Sequence, residues 1–182
     1  MDNSVIPQDI LDFWFKEIDA TLWFKQDDQL DEAIIHRFCE VHNKASAGEL
    51  SNWRETIHGR LAEIIILDQF SRNMFRGKSE AFKQDAIALV LSQEALRIGQ
   101  LEDLTTEERS FLYMPFMHSE SLVIHDKAMA LFQEEGMEEN LKYEKEHRDI
   151  IKRFGRYPHR NDALGRESTD EECEFLKDFD SF

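Results

Sequence analysis

Apolar residues recur at three- and four-residue steps along nearly the whole chain, a period that predicts helices, and no alternating strand pattern is present. Ile10, Leu11, Phe13, Trp14 and Phe15 mark a short aromatic helix over residues 9–15. Leu30, Ala33, Ile34, Phe38 and Val41 place the next over residues 27–44, with Gly48 beyond its end. A third helix spans residues 52–75 and stops before Gly77. Its centre, Leu61 to Leu67, is apolar on most faces and is therefore expected to be the buried middle of the fold.

Ser79 reads as the N-cap of a helix over residues 80–98, closed by Gly99. Thr105 and Glu108 have the spacing of a capping box and open another helix. Pro115 removes one hydrogen bond and crowds the carbonyl four residues back, so a kink is expected near residues 111–115. The helical pattern resumes over residues 119–133 and stops at Gly136. Residues 138–154 follow, ended by Gly155, and Ser168 with Glu171 reads as a second capping box for a last short helix to Phe179. The pattern predicts one all-α domain over residues 1–182, about seven helices packed as antiparallel hairpins with short links.

Composition narrows the function classes. Charged residues make up 33% of the chain, and the longest apolar runs, residues 64–67 and 86–91, fall far short of the roughly 20 residues that span a bilayer, so no membrane partner is expected. Met1, Asp2, Asn3 and Ser4 offer neither the basic nor the apolar stretch of a signal peptide. Cys39 and Cys173 are the only cysteines and lie far apart, which suggests reduced thiols in a cytoplasmic protein. A net charge of −16 argues against nucleic acid or anionic lipid as a partner.

That charge is unevenly spread. Between Lys145 and Arg166 seven Lys and Arg face three acids, a net +4, which leaves −20 for the rest of the chain. Gly155 and Pro158 mark this segment as a loop that follows a helix. Arg153, Arg156 and Arg160 bring forked donors that match a carboxylate or a phosphate. His159 can transfer a proton, and Asn161 can hydrogen-bond. A structural role, in which these arginines neutralise an acidic surface, accounts for them as well.

Other polar residues interrupt apolar helices. Asp68, Arg72 and Arg76 follow at steps of four and share one helix face. A carboxylate next to the most apolar run needs a partner, and Arg72 is the nearest. The set reads either as a structural ion pair or as an anion-binding arginine pair oriented by Asp68. His118 lies on one stripe with Phe111, Met114 and Leu122, just past Pro115 and beside Glu120. It reads either as a core histidine or as a general acid/base.

Glu55 with His58, and Glu144 with His147, match the Glu-x-x-His element of di-iron bundles. Two further inward glutamates would be needed and chance supplies such matches, so no metal and no cofactor is expected. No Walker, GxSxG, HExxH or dinucleotide fingerprint occurs, and His118-x-Glu120 lacks the Pro-Cys-x-x-Cys of nucleobase deaminases.

Three blocks stand out: Leu67-Asp68-Gln69-Phe70-Ser71-Arg72-Asn73, Tyr113-Met114-Pro115-Phe116-Met117-His118-Ser119-Glu120 and Arg153-Phe154-Gly155-Arg156-Tyr157-Pro158-His159-Arg160-Asn161. With Ile10-Leu11-Asp12-Phe13-Trp14-Phe15 and Leu164-Gly165-Arg166-Glu167-Ser168-Thr169, they resemble the signature blocks of the bacterial domain of unknown function 924 family. The resemblance covers nearly the whole chain. It implies an all-helical fold similar to tetratricopeptide-like hairpins and implies no particular reaction. The chain itself has no 34-residue period and no Trp-x-x-Leu-Gly-x-x-Tyr consensus.

These blocks hold the residues that the chemistry selects, which points to one shared site. His118, Glu120 and His159 are the acid/base candidates. Asp68, Arg72, Arg76, Arg156, Arg160 and Asn161 are the ligand-binding candidates, and the expected ligand is a small anionic molecule bearing phosphate or carboxylate. The alternative is a non-catalytic helical interaction module that presents aromatics such as Trp14, Trp23 and Phe24 to a protein.

Overall fold

In a computed structural model, which describes residues 4–179, all regular structure is helical. Helix α1 starts at Pro7–Asp12 and runs into one π turn, Phe13–Glu17. Helix α2 is Asp28–Ser46. Helix α3 comprises Ile57–Ile65, a π turn over Ile66–Phe70 and a last turn, Ser71–Met74. Then come α4 (Asp85–Ile98), α5 (Thr106–Met117), α6 (Leu122–Leu131), α7 (Glu138–Phe154) and α8 (Asp170–Lys177).

The most apolar segment of the sequence becomes the centre of the fold, since every residue from Leu61 to Phe70 is buried. Helices α1, α2, α4 and α5 all pack against α3, and α5, α6 and α7 pack on one another in chain order. The aromatic helix α1 lies within this core. Phe13 meets Phe38 with ring centroids 4.9 Å apart, and Trp14 meets Phe70 at 5.7 Å and Phe111 at 5.6 Å. Such tilted or edge-on pairs add about 0.5–1.5 kcal/mol each beyond their buried area. Glu63 is the one acid inside the apolar run before the π turn. Its two oxygens are gripped by Arg54 Nε and Nη2 at 2.7 and 2.6 Å, so its charge is compensated where water cannot reach it.

Several helix ends differ from the expected ones. Helix α3 begins after Thr56, whose hydroxyl accepts from the Gly59 amide at 3.0 Å, and residues 51–55 form a separate 3₁₀ turn. Ser79 caps no α-helix. Its hydroxyl bonds Glu80, the 3₁₀ turn Ser79–Phe82 intervenes, and α4 starts only at Asp85. The capping box of Thr105 and Glu108 forms as its spacing predicts. The second box is displaced by one residue, to Thr169 and Glu172, because the Ser168 hydroxyl accepts from Asn161 at 3.0 Å. Pro115 lies inside its helix: α5 runs through it to Met117, and the chain turns at 118–121, giving eight helices among the described residues. The proline leaves the Phe111 carbonyl without its usual amide donor and crowds it within the helix.

No helix among the described residues is long and apolar enough to cross a membrane. Cys39 and Cys173 are free thiols on the surface.

Two substitutions test this packing. A Cβ on Gly59 would stand 1.9 Å from the Trp53 carbonyl oxygen. Gly to Ala inside a helix ordinarily gains about 1 kcal/mol. Gly59→Ala is expected to reverse that sign and lower the unfolding free energy by about 1–3 kcal/mol in a urea titration. Ile65→Asp, at a fully buried position, is expected to abolish the cooperative thermal transition followed by circular dichroism, while Ile35→Asp on the exposed side of α2 leaves it within about 0.5 kcal/mol.

Candidate functional site

The π turn of α3 supplies Asp68, and the last turn of the same helix supplies Arg72. Single π turns cluster at functional positions. The C-terminal end of α5 supplies His118, and the turn after it Ser119 and Glu120. The first turn of α4 supplies Asp85, and the 3₁₀ turn Pro158–Arg160 supplies Arg160. Lys83, Asp85, His118, Ser119, Glu120 and Arg160 form the polar lining of an open cavity of about 320 Å³.

Asp68 is almost completely enclosed, with 1% of its side chain exposed. Burial alone would push its carboxyl up, but the His118 ring and the Arg72 guanidinium outweigh this and bring it down to about 2. Oδ1 lies 2.7 Å from His118 Nδ1, and Oδ2 accepts from Gln69 at 2.5 Å. An ionised Asp68 can only accept, so His118 Nδ1 carries the hydrogen and Nε2 keeps its lone pair. Nε2 has no hydrogen-bond partner among the described residues. Burial and the nearby Arg72 pull the imidazole below its ordinary value, against the opposite pull of Asp68. A neutral imidazole, oriented by a carboxylate and lining a cavity, can accept a proton from a bound molecule.

A chain of charge runs behind this pair. Arg72 Nη1 reaches the Asp68 carbonyl at 2.9 Å, and both Nη atoms grip Asp85 at 3.0 and 3.1 Å. Burial opposes the Arg72 charge, but Asp85 and Asp68 push its pKa up. Asp85 also accepts from Arg160 Nη1 at 3.1 Å. The Arg160 guanidinium is held between the rings of Phe82 and Tyr157, at 4.6 and 4.5 Å from their centroids. It is 7% exposed, and its Nε is enclosed with no partner. Burial and Arg72 lower its pKa from the usual arginine value.

Glu120 is locked. Its oxygens accept from Arg166 Nη1 and Nη2 at 2.8 and 3.0 Å and from the Tyr157 amide at 2.7 Å. Burial would raise its carboxyl, but Arg166 and that amide bring it below the ordinary value. The turn it sits on is also held from behind. Tyr157 donates to the Met117 carbonyl at 2.5 Å, and His125 Nε2 donates to the Ser119 carbonyl at 2.8 Å. His125 Nδ1 in turn meets Glu144 at 2.7 Å, with both side chains fully buried.

The structure brings some of the candidate residues to this cavity and not others. His118, Glu120 and Arg160 line the cavity, and Asp68 and Arg72 stand one contact behind it. Four others do not line it. Arg76 grips Asp31 at 2.8 and 2.9 Å. Arg156 grips Glu172 at 2.7 Å with each of two nitrogens and also bonds the Glu167 carbonyl. Asn161 bonds Ser168 and accepts from Arg166, so it supports Glu120 at one remove. His159 stacks on Phe179 with ring centroids 5.1 Å apart.

Sequence reasoning missed Asp85 and Arg166. Neither lies in an unusual local pattern, and only an unpaired Arg160 and Glu120 could have called for them. Of the di-iron pairs, Glu144 is committed to His125 and Glu55 is exposed. No cluster of three or more His, Cys, Asp or Glu among the described residues is arranged to hold a metal ion. Of the aromatics Trp14, Trp23 and Phe24, Trp14 is fully buried, Trp23 is half-buried with its indole donating to the Trp14 carbonyl at 3.0 Å, and Phe24 is exposed. A larger groove of about 640 Å³ between α7 and α8 is floored by Phe154, Phe175 and Phe179, and Arg153 on its wall pairs with Glu171.

Residues 10–180 match the family described as "Bacterial protein of unknown function (DUF924)". A solved structure of a protein of unknown function, ATU0120 from Agrobacterium tumefaciens, is similar at 39% sequence identity. That match covers 95% of this chain and 97% of the other, with a TM-score of 0.90. No curated protein matches the sequence.

The buried histidines set an acid limit. Burial brings His147 down to about 3, and burial with Arg160 brings His159 down to about 4. In the unfolded chain both titrate near pH 6.5. Between about pH 6.5 and 4 the unfolded state therefore binds protons that the folded state refuses, and stability falls as pH falls. Each ring is expected to contribute a slope of about 1.4 kcal/mol per pH unit in that window. Urea titrations at pH 7, 6 and 5 check this, and His159→Phe, which keeps a ring against Phe179, is expected to reduce the slope by about 1.4 kcal/mol per pH unit.

Proposed function

We propose that this chain, which belongs to the DUF924 family, binds a small carboxylate- or phosphate-bearing molecule in the cavity between α4, α5 and the Pro158–Arg160 turn, and that His118 is the proton acceptor there. The observation that carries this reading is the Asp68–His118 pair, a buried ionised carboxylate fixing one imidazole nitrogen while the ring lines a cavity. A histidine needed only for packing would not require so costly a partner. Arg160 supplies donors for an anionic group, and Lys83, which makes no ion pair among the described residues, supplies a charge at the rim.

The other candidates take supporting parts. Glu120 has both oxygens engaged by Arg166, so it positions the turn beside His118 instead of exchanging protons. His159 packs on Phe179 and is not among the lining residues, so it serves the fold. Hydrolysis or group transfer with water as the acceptor suits a lone base, because no second nucleophile is paired to His118.

A thermal-shift screen of carboxylated and phosphorylated metabolites tests the binding. A ligand at 100 times its Kd is expected to raise the melting temperature by about 5–10 °C, and by less in Lys83→Ala, which is exposed and leaves the fold intact. Nitrogen-15 NMR of the histidines is expected to show His118 with hydrogen on Nδ1 and to show its Nε2 signal move when that ligand binds. A full panel that shifts neither the melting temperature nor the His118 signal overturns the proposal.

A further inference from the structure

We infer that the ligand of this cavity is a monocarboxylate with an apolar body, its carboxylate taken by the unpaired Nη2 side of Arg160. The inference rests on the cavity being the ligand site and narrows which anion it takes.

The first argument is the empty edge itself. An arginine presents two parallel N–H groups along its Nε and Nη2 side, spaced to fit the two oxygens of a planar carboxylate. Several other arginines among the described residues use that edge in this way. Arg54 grips Glu63, Arg76 grips Asp31 and Arg156 grips Glu172, each with Nε on one oxygen and Nη2 on the other. Arg160 spends only Nη1, on Asp85. Its Nε is enclosed without a partner, its Nη2 makes no hydrogen bond among the described residues, and the residue lines the cavity. Nε is closed off by the protein, so Nη2 is the unpaired donor of that edge that a ligand oxygen can meet.

The second argument is charge. Lys83, Arg72, Arg160 and Arg166 line the cavity or pair with groups that do, and they face the carboxylates of Asp68, Asp85 and Glu120. His118 adds none while neutral. One positive charge is left over. A monoanion cancels it. A phosphate monoester, at about −1.5 to −2, would bring surplus negative charge against Asp85 and Glu120, which line the same cavity.

The third argument is the rest of the wall. Phe82, Ala86, Leu89 and Leu164 line the cavity opposite this polar set in chemistry, and they offer nothing to a ligand except apolar surface. A volume of about 320 Å³ lies at the small end of ligand pockets and suits a compact acid with a short hydrocarbon portion.

The test is a series of straight-chain acids from acetate to decanoate, compared with inorganic phosphate and alkyl phosphates of equal length, by calorimetry on the full chain. Affinity for the acids is expected to rise about fourfold per methylene until the cavity is full. Ala86→Phe, at the exposed rim, is expected to move that limit to shorter acids. Arg160→Lys keeps the charge but loses the forked edge, and is expected to cost at least tenfold for acids, with circular dichroism as the fold control. Lys83→Ala tests the surplus charge even where Arg160→Lys fails to fold, and is expected to weaken all acids alike. Phosphates that bind as tightly as acids of equal length, or affinity that ignores chain length, overturn this inference and leave the anion site standing. If neither series binds and the His118 signal does not move, the site fails with it.

Discussion

A carboxylate in the middle of the central helix has to be kept charged without water, and much of the polar structure answers that demand. Asp68 sits where the surrounding residues of α3 are apolar and buried. Removing one partner from such a buried charge typically costs about 3–5 kcal/mol. Its compensation does not stop at His118 and Arg72. Arg72 needs Asp85, Asp85 also holds Arg160, and Arg160 is kept in place by the faces of Phe82 and Tyr157. One buried charge thus ties α3, α4, α5 and the turn after α7 together. The groups that keep the interior neutral are also those that shape the cavity, so stability and chemistry draw on the same residues.

The wall of the cavity divides into fixed and available groups. Glu120 and Asp85 have their oxygens occupied by arginines, and they act as supports. His118 and Arg160 each have one side fixed and one side without a partner. Tyr157 serves both kinds, since its amide holds Glu120, its hydroxyl holds the Met117 carbonyl and its ring face covers Arg160. Preorganisation of this sort holds the imidazole and the guanidinium at fixed positions.

How much of this was legible in the sequence depends on distance along the chain. The buried run of α3, the Thr105 capping box and the Asp68–Arg72 pair are local, and periodicity or four-residue spacing is enough to find them. His118 and Arg160 could be picked as polar residues in unusual places, but their partners Asp68 and Asp85 lie 50 and 75 residues away. Arg76 and Arg156 look from the sequence like Arg72 and Arg160, yet acids on α2 and α8 claim them. No local rule separates an arginine that will find an acid from one that will keep an edge free. The displaced capping box shows the same limit at short range. Ser168 and Thr169 are both good caps, and the choice fell to Thr169 because Asn161 engages the Ser168 hydroxyl.

These long separations also bear on how the chain comes into being. During synthesis the N-terminal part emerges first and begins to fold while the rest is still being made. Asp68, Arg72, Asp85 and His118 all leave the ribosome well before Arg160 and Arg166, so the nascent chain can assemble α1 to α5 with Asp85 only half neutralised and the 118–121 turn without its clamp. At translation rates of about 5–20 residues per second, that interval lasts seconds. The cavity is therefore the last part of the molecule to be completed, and a truncated chain that ends before Tyr157 can build most of the core yet lacks one wall of the cavity.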